Sequence, residues 1–541
     1  MKISANIVDV LQGIIYPGTM DIVDGKVLSI TRDSRNYDTF VLPGFVDSHV
    51  HIESSLLIPS EFARLAVTHG TVACVSDPHE IANVLGIKGI EYMIENARMV
   101  PFKFCFGAPS CVPATGFETA GASIGLTETQ SLFEGSGIKY LGEMMNFPGV
   151  IGGDPEVAAK TELARRFGYP IDGHAPGLGG EDLKTYVNAG ISTDHETIRL
   201  YEGREKISLG MKILVREGSG AKGFDTLSLL IEEYPRQCML CSDDKHPDDL
   251  VAGHINQLVK RAIQKGIGTM KVLQCACVNP VLHYGLDVGL LRTGDPADFI
   301  EVDSLSELNV LRTYVDGKLV AEAGRTLLAS VSARHINNFR AETRRVEDFA
   351  VKAKGKKVKV IEAINGELIT GTMEVPAKVV DGCAVSDVRR DILKIAVVNR
   401  YEDHPPAIGF VKNFGLKQGA IASSVAHDSH NIIAVGATDE ELCSAVNLVI
   451  GQEGGLAVVD GEAQDILPLP IAGLMSDKDG FWVAKQYSRI DGLAKQLGSR
   501  LDAPLMTLSF MALLVIPKLK LSDRGLFDGE AFQFVDLFSD C

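Results

Sequence analysis

The stretch Pro43-Gly44-Phe45-Val46-Asp47-Ser48-His49-Val50-His51-Ile52-Glu53 decides how the rest of the chain is read. Phe45, Val46, Val50 and Ile52 favour a strand, and alternate side chains of a strand face one way, so Asp47, His49, His51 and Glu53 are expected on a common face. Two imidazoles about 6 to 7 Å apart along a strand are placed to grip one divalent metal. An isolated His-x-His is more often a polar edge strand, so the flanks must decide. Pro43-Gly44 leads in and Ser54-Ser55 leads out, which puts the histidines at the carboxyl end of the strand, where α/β folds keep their chemistry.

Downstream, strand-like and helical patterns alternate. A helix with Pro59 near its start and Gly70 after its end spans 59–69. Strand-like segments follow at 71–76, 102–108, 138–144, 170–174, 191–195, 211–216 and 237–242, with helical patterns such as 87–99, 155–167, 181–189 and 224–234 between them. Counting the first, eight strand–helix units in about 240 residues match the scale of a TIM barrel. A doubly wound open sheet competes, but no Gly-rich phosphate loop follows an early strand. Residues 2–30 and 285–320 share a texture of short strands with tight turns at Asp24-Gly25 and Asp316-Gly317, and are expected to pair. The fold class is therefore α/β: a (β/α)8 TIM barrel over 43–284 and a flanking small β-sandwich assembled from 1–42 and 285–336. A charged linker or solvated helix at 337–357 leads into a C-terminal α+β domain over 358–541, with strands at 420–426 and 432–436, a helix opened by the capping box Thr438-Asp439-Glu440-Glu441, and a hairpin turn at Asp460-Gly461.

Composition bounds the function. Of 541 residues, 45% are hydrophobic and 23% charged, enough to bury a core in two or three domains. Lys+Arg 53 against Asp+Glu 70 leaves a formal charge of -17, which argues against nucleic acid or a membrane as partner and for a small neutral or cationic substrate. Residues 1–18 lack a basic flank ahead of an apolar core, so no signal peptide is expected. The longest apolar run, 503–516, is too short to span a bilayer and reads as a buried segment. Ten scattered cysteines suggest reduced thiols and a cytoplasmic location.

Titratable residues gather where the strands end. The second segment ends in Asp77-Pro78-His79-Glu80, the fourth in Glu143, the fifth in Asp172-Gly173-His174, the sixth in Asp194-His195-Glu196 and the eighth in Asp243-Asp244. Each alone reads as a helix cap or a solvated loop residue; capping does not explain the set. The pattern resembles the amidohydrolase superfamily. The run Pro43-Gly44-Phe45-Val46-Asp47-Ser48-His49-Val50-His51-Ile52-Glu53-Ser54-Ser55, together with Ser76-Asp77-Pro78-His79-Glu80-Ile81-Ala82-Asn83, resembles its bacterial-type adenine deaminase family, over essentially the whole chain.

That resemblance implies a distorted barrel and a binuclear metal centre. His49 and His51 would hold one metal, completed by Asp243; His174 and His195 would hold the other; Glu143 would bridge the two. The wider superfamily often bridges with a carboxylated lysine on the fourth strand, but Lys139 stands about four residues, or about 13 Å, too early for that. Two divalent ions, manganese or ferrous iron with zinc as an option, would share and acidify a water. The water would attack the ring carbon bearing the exocyclic amine of adenine, with Asp243 handling the proton, to give hypoxanthine and ammonia in purine salvage. Adenine as substrate and a homo-oligomer, dimer or tetramer, complete the implied picture.

Asp77, His79 and Glu80 stay off the metals in this scheme. They are expected to bind the purine or shuttle protons, the plainer reading being that Asp77 and Glu80 cap the following helix. His51-Ile52-Glu53 with Cys238-Met239-Leu240-Cys241 mimics the zinc motif of cytidine-type deaminases, but the proline context is missing and cysteines three apart on a strand face opposite sides. His427-Asp428-Ser429-His430-Asn431 reads either as a hydrogen-bonded polar loop or as a loop leaning over the barrel mouth. A cyclic-amide hydrolase and a non-catalytic scaffold are the alternative functions. Ring opening in place of ammonia release would mark the first, and missing ligand residues would mark the second.

Overall fold

The computed structural model describes residues 1–539. All eight expected barrel strands form: Phe45–Val50, Thr71–Ser76, Lys103–Phe106, Leu141–Met144, Ile171–Gly173, Thr193–Asp194, Lys212–Arg216 and Cys238–Cys241. They run parallel in three short ladders, and single parallel bridges from Ala108 to Leu141, Ile171 to Ile191 and Val50 to Asp243 close these into a ring. Ladders joined by single bridges are what distorts the barrel. Its strands are buried on both faces, as parallel strands under crossover helices must be. Met239 and Cys241 pack with Val75, Tyr140, Leu214 and Tyr284, while Cys238 and Leu240 join a different core cluster. Cys238 and Cys241 thus face apart, as strand alternation requires.

The two flanking pieces merge into one eight-stranded sheet, joined where Phe40–Pro43 pairs antiparallel with Phe299–Val302. The sheet encloses its own core of Ile7, Met20, Ile22, Val27, Phe299 and Tyr314, and Lys26 bridges to Pro296. Both hairpin turns adopt the left-handed backbone that favours Asp-Gly, with φ of 49° at Asp24 and 48° at Asp316.

The C-terminal third is built on a nine-stranded sheet, against which the helix Asp439–Gly451 packs. Thr438 caps that helix by accepting from the Glu441 amide. The expected strands form at Ala420–Ser423 and Ile432–Gly436, and the apolar run beyond Ala503 supplies the buried helix Pro504–Phe510. No solvated helix forms across 337–357, which holds only the 3₁₀ turn Val346–Phe349 and a short strand before Lys357. Phe339, Ala341 and Val346 are the reason: they lie against the core around Phe349, so the segment runs as a strap over the sheet. The nine described cysteines are free; Cys541 lies outside the described residues. Among the described residues, no helix is long and apolar enough to cross a membrane.

Candidate metal centre

The first barrel strand stops at Val50, and Ile52–Ser55 turns into a 3₁₀ helix, so the expected common face is broken after His51. Glu53 swings away and accepts from the Ile81 amide at 3.1 Å. Burial pushes its carboxyl up to about 7. Asp47 accepts from the Ser242 amide at 2.9 Å and from His254 Nε2 at 2.8 Å, tying the first strand to the eighth behind the site. Of that quartet, His49 and His51 face Glu143 and Asp243 from the other strand ends, and their Nε2 atoms lie 3.1 Å apart.

Glu143, at the end of the fourth strand, divides its two oxygens. Oε1 lies 3.1 Å from His51 Nε2 and 3.9 Å from His49 Nε2; Oε2 lies 2.6 Å from His174 Nδ1 and 3.1 Å from His195 Nε2. Asp243 enters from the end of the eighth strand, where φ of 53° is a conformation that Asp reaches more easily than most residues. Its Oδ1 stands 3.4 Å from His51 Nε2 and 3.7 Å from His49 Nε2. All six side chains are buried. Four imidazoles and two carboxylates therefore converge from five strand ends. Burial drives His49 toward the neutral form, and the neighbouring His195 and His51 reinforce it.

This donor set fits divalent metal. His49 Nε2 and His51 Nε2 approach each other as closely as hydrogen-bond partners, and buried His49 Nδ1 and His174 Nε2 have no hydrogen-bond partner. Buried polar atoms are nearly always satisfied. The triads His49, His51, Glu143 and Glu143, His174, His195 each hold their ligand atoms within 4.8 Å, as a shared cation requires.

Around this core stand residues of three further kinds. Asp77 Oδ2 accepts from the Glu143 amide at 2.9 Å, so Asp77 fixes the backbone that presents Glu143 and does not cap the next helix. His79 lies 3.5 Å from both Asp77 Oδ2 and Glu143 Oε1 through Nδ1. Glu80 faces the C-terminal third: His427 Nδ1 meets its Oε1, and His430 Nε2 lies 2.5 Å from its Oε2. Of the two readings of the His427–Asn431 loop, the one that brings it over the barrel mouth is therefore the observed one. Asp403 and His404 do not join it; they pair with Arg344 and Glu402.

Arg216, at the end of the seventh strand, went unread in the sequence. Its guanidinium is buried, pairs with both oxygens of Glu196 and reaches Asp243 Oδ2 at 2.5 Å. The available signal was a cation closing the apolar run Ile213 to Val215 at the end of a strand.

A model of the amidohydrolase family matches residues 40–320, and a model of the adenine deaminase C-terminal domain matches 367–533. The adenine deaminase of Salinibacter ruber is 55% identical over 541 residues, covering 100% of this chain and 99% of that one. The adenine deaminase of Sulfurovum sp. is 55% identical over 537 residues, and that of Methanosarcina barkeri 53% over 542, each match spanning 98% or more of both chains. The chain belongs to the adenine deaminase family.

Membership covers more than the barrel. The C-terminal match includes the loop that supplies His427 and His430, so the contact between that loop and Glu80 lies between two segments that each carry a family match.

Proposed function

We propose that the chain hydrolyses adenine to hypoxanthine and ammonia at this centre. The observation that carries the proposal is the division of Glu143 between two histidine pairs, one oxygen toward His49 and His51 and the other toward His174 and His195. His49, His51 and Asp243 would hold one divalent ion, His174 and His195 a second, and Glu143 both. Manganese or ferrous iron suits imidazoles mixed with carboxylates, and zinc is tolerated by the same set. Bound ions of this kind lower the pKa of a shared water toward neutrality and so supply the nucleophile.

The protein's own residues supply the proton handling. Burial disfavours a charge on Asp243, but the Arg216 guanidinium together with His51 and His195 outweighs it and holds the carboxyl well below the usual range. Asp243 is then an ionised base beside His49 and His51, able to accept a proton from the attacking water and return it to the leaving amine. His79 is its counterpart. Burial opposes its charge, yet Glu80 and Asp77 outweigh burial and raise it well above the ordinary histidine value, which makes it a proton donor toward a ring nitrogen. Asp77 positions Glu143, and Glu80 keeps His79 charged.

The test is direct. Protein produced with manganese is expected to carry about two metals per chain and to release ammonia from adenine, and Glu143→Gln is expected to lose both. Manganese-loaded protein that leaves adenine untouched ends the proposal. A Glu143→Gln variant with full metal content and full activity removes the assignment of Glu143.

A further inference from the structure

The loop from His427 to Asn431 holds itself in place without using the outer oxygen of Asp428. His427 and His430 are each bound to Glu80, Ser429 O accepts from Tyr401 Oη at 2.6 Å, and the Asn431 side chain donates to Thr119 O at 2.9 Å. Residues on both sides of Asp428 are thus pinned. Asp428 itself is buried, its Oδ1 lies 3.7 Å from His79 Nε2, and its Oδ2 has no hydrogen-bond partner. A buried orphan acceptor costs free energy unless something fills it. Fixed neighbours around an open acceptor are the arrangement of a preorganised binding group.

Its position says what it would accept from. One face of the His79 ring meets Glu143 through Nδ1, and the other end meets Asp428 through Nε2, so Asp428 stands one imidazole beyond the metal centre. A purine whose amine-bearing carbon lies at Glu143 extends its five-membered ring away from that carbon. Around a purine, a carboxylate attracts an N–H edge and repels the lone pairs of the other ring nitrogens. In free adenine the azole ring carries the one N–H outside the exocyclic amine. Glu118 adjoins Asp428 from the barrel side, and burial together with the Asp428 carboxylate drives Glu118 toward its neutral form.

Resting on adenine as the substrate, we propose that Asp428 accepts the azole N–H of the free base and so excludes purines substituted at that nitrogen. A site built around such a hydrogen bond rejects analogues that lack the donor far more strongly than a merely apolar pocket does.

The experiment compares adenine with 9-methyladenine in the metal-loaded full chain. Asp428→Asn keeps the shape and removes the charge. It is expected to lower kcat/KM for adenine about 10- to 100-fold, mostly through KM, to change that for 9-methyladenine less than about 3-fold, and to leave metal per chain as in the parent. If Asp428→Asn does not fold, Asp428→Ser is read in its place, with the same direction expected. An unchanged preference between the two bases overturns the proposal, and so does loss of bound metal, which would make Asp428 a ligand. Parent protein that is inactive on adenine sinks the functional reading and this one together; an active parent with an insensitive variant sinks this one alone.

Discussion

Two clusters of histidine and carboxylate share the mouth of the barrel, and they solve opposite problems. Around Glu80 both carboxylate oxygens and both nitrogens of His430 have partners: Ala426 N donates to His430 Nδ1, which leaves His430 Nε2 to carry the proton that Glu80 Oε2 accepts, while His427 serves Oε1. Burial opposes charge on His427, but Glu80 and Asp244 outweigh it and lift the ring to about 9, so one imidazolium and one neutral imidazole flank one carboxylate. Around Glu143, by contrast, imidazole nitrogens crowd each other, with His49 Nε2 3.1 Å from His51 Nε2 and no proton arrangement that serves them all. The residue types are the same in both. The balance of donors to acceptors separates a cluster that is complete from one that needs a cation.

The largest effect should come from exchanging one oxygen for an amide in each cluster. Glu143→Gln is expected to empty the site of metal and cost activity on the order of 10³-fold or more, because its amide offers one acceptor where two are used. Glu80→Gln is expected to keep its metal. Metal analysis of the two variants side by side breaks the comparison if both lose metal or both retain it. Next in size is Arg216→Met, which takes from buried Glu196 and Asp243 the guanidinium that pairs with both. A loss of about 3 to 5 kcal/mol in unfolding free energy, read by urea titration, is the expectation for removing one partner of a buried ion pair. Smaller again, His430→Asn and His427→Asn should each lower kcat about 10- to 100-fold at unchanged metal content, the scale typical of groups that orient others in a metal site. Loss of metal from either variant would merge the two clusters into one.

Much of this was legible in the chain, for identifiable reasons. The barrel strands carry apolar runs bounded by Gly and Pro, and their buried ends place His49, Glu143, His174, His195 and Asp243 together, because a closed ring of parallel strands points every carboxyl end at one mouth. Strand periodicity failed at both ends of the motif: Asp47 binds Ser242 and His254 behind the site, and past Val50 a 3₁₀ turn replaces the pleat and carries Glu53 away. Long-range partners were harder. Glu80 and His427 lie 347 positions apart, and no local pattern in either segment announces the other. Arg216 was hidden for a related reason: a buried guanidinium is made tolerable by Glu196 and Asp243 from neighbouring strands, so its meaning exists only once the ring has closed. The strap at 337–357 misled through its charge, since composition weighs Arg and Lys, whereas the structure is decided by Phe339 and Val346 lying on the adjacent core.

The smallest prediction concerns a histidine that belongs to neither cluster. His246 sits under the C-terminal helix Gly480–Gln496, its Nδ1 3.0 Å from Ser54 O and its ring 4.4 Å from that of Tyr487. Burial lowers it to about 4, so the folded chain keeps it neutral while the unfolded chain protonates it near the ordinary histidine value of 6.5. Between those values the unfolded state binds the extra proton, and stability must fall as pH falls; above about 6.5 neither state is charged and the effect is absent. The slope contributed by one such group is at most about 1.4 kcal/mol per pH unit. His246→Gln can still donate to Ser54 O but does not titrate. Its unfolding free energy should therefore decline less steeply than the parent's from pH 6.5 to 4.5, with the two curves parallel from pH 7 upward. Because the metal ligands protonate equally in both proteins, that difference in slope isolates His246, and identical slopes would mean that the buried ring takes up its proton without resistance from the fold.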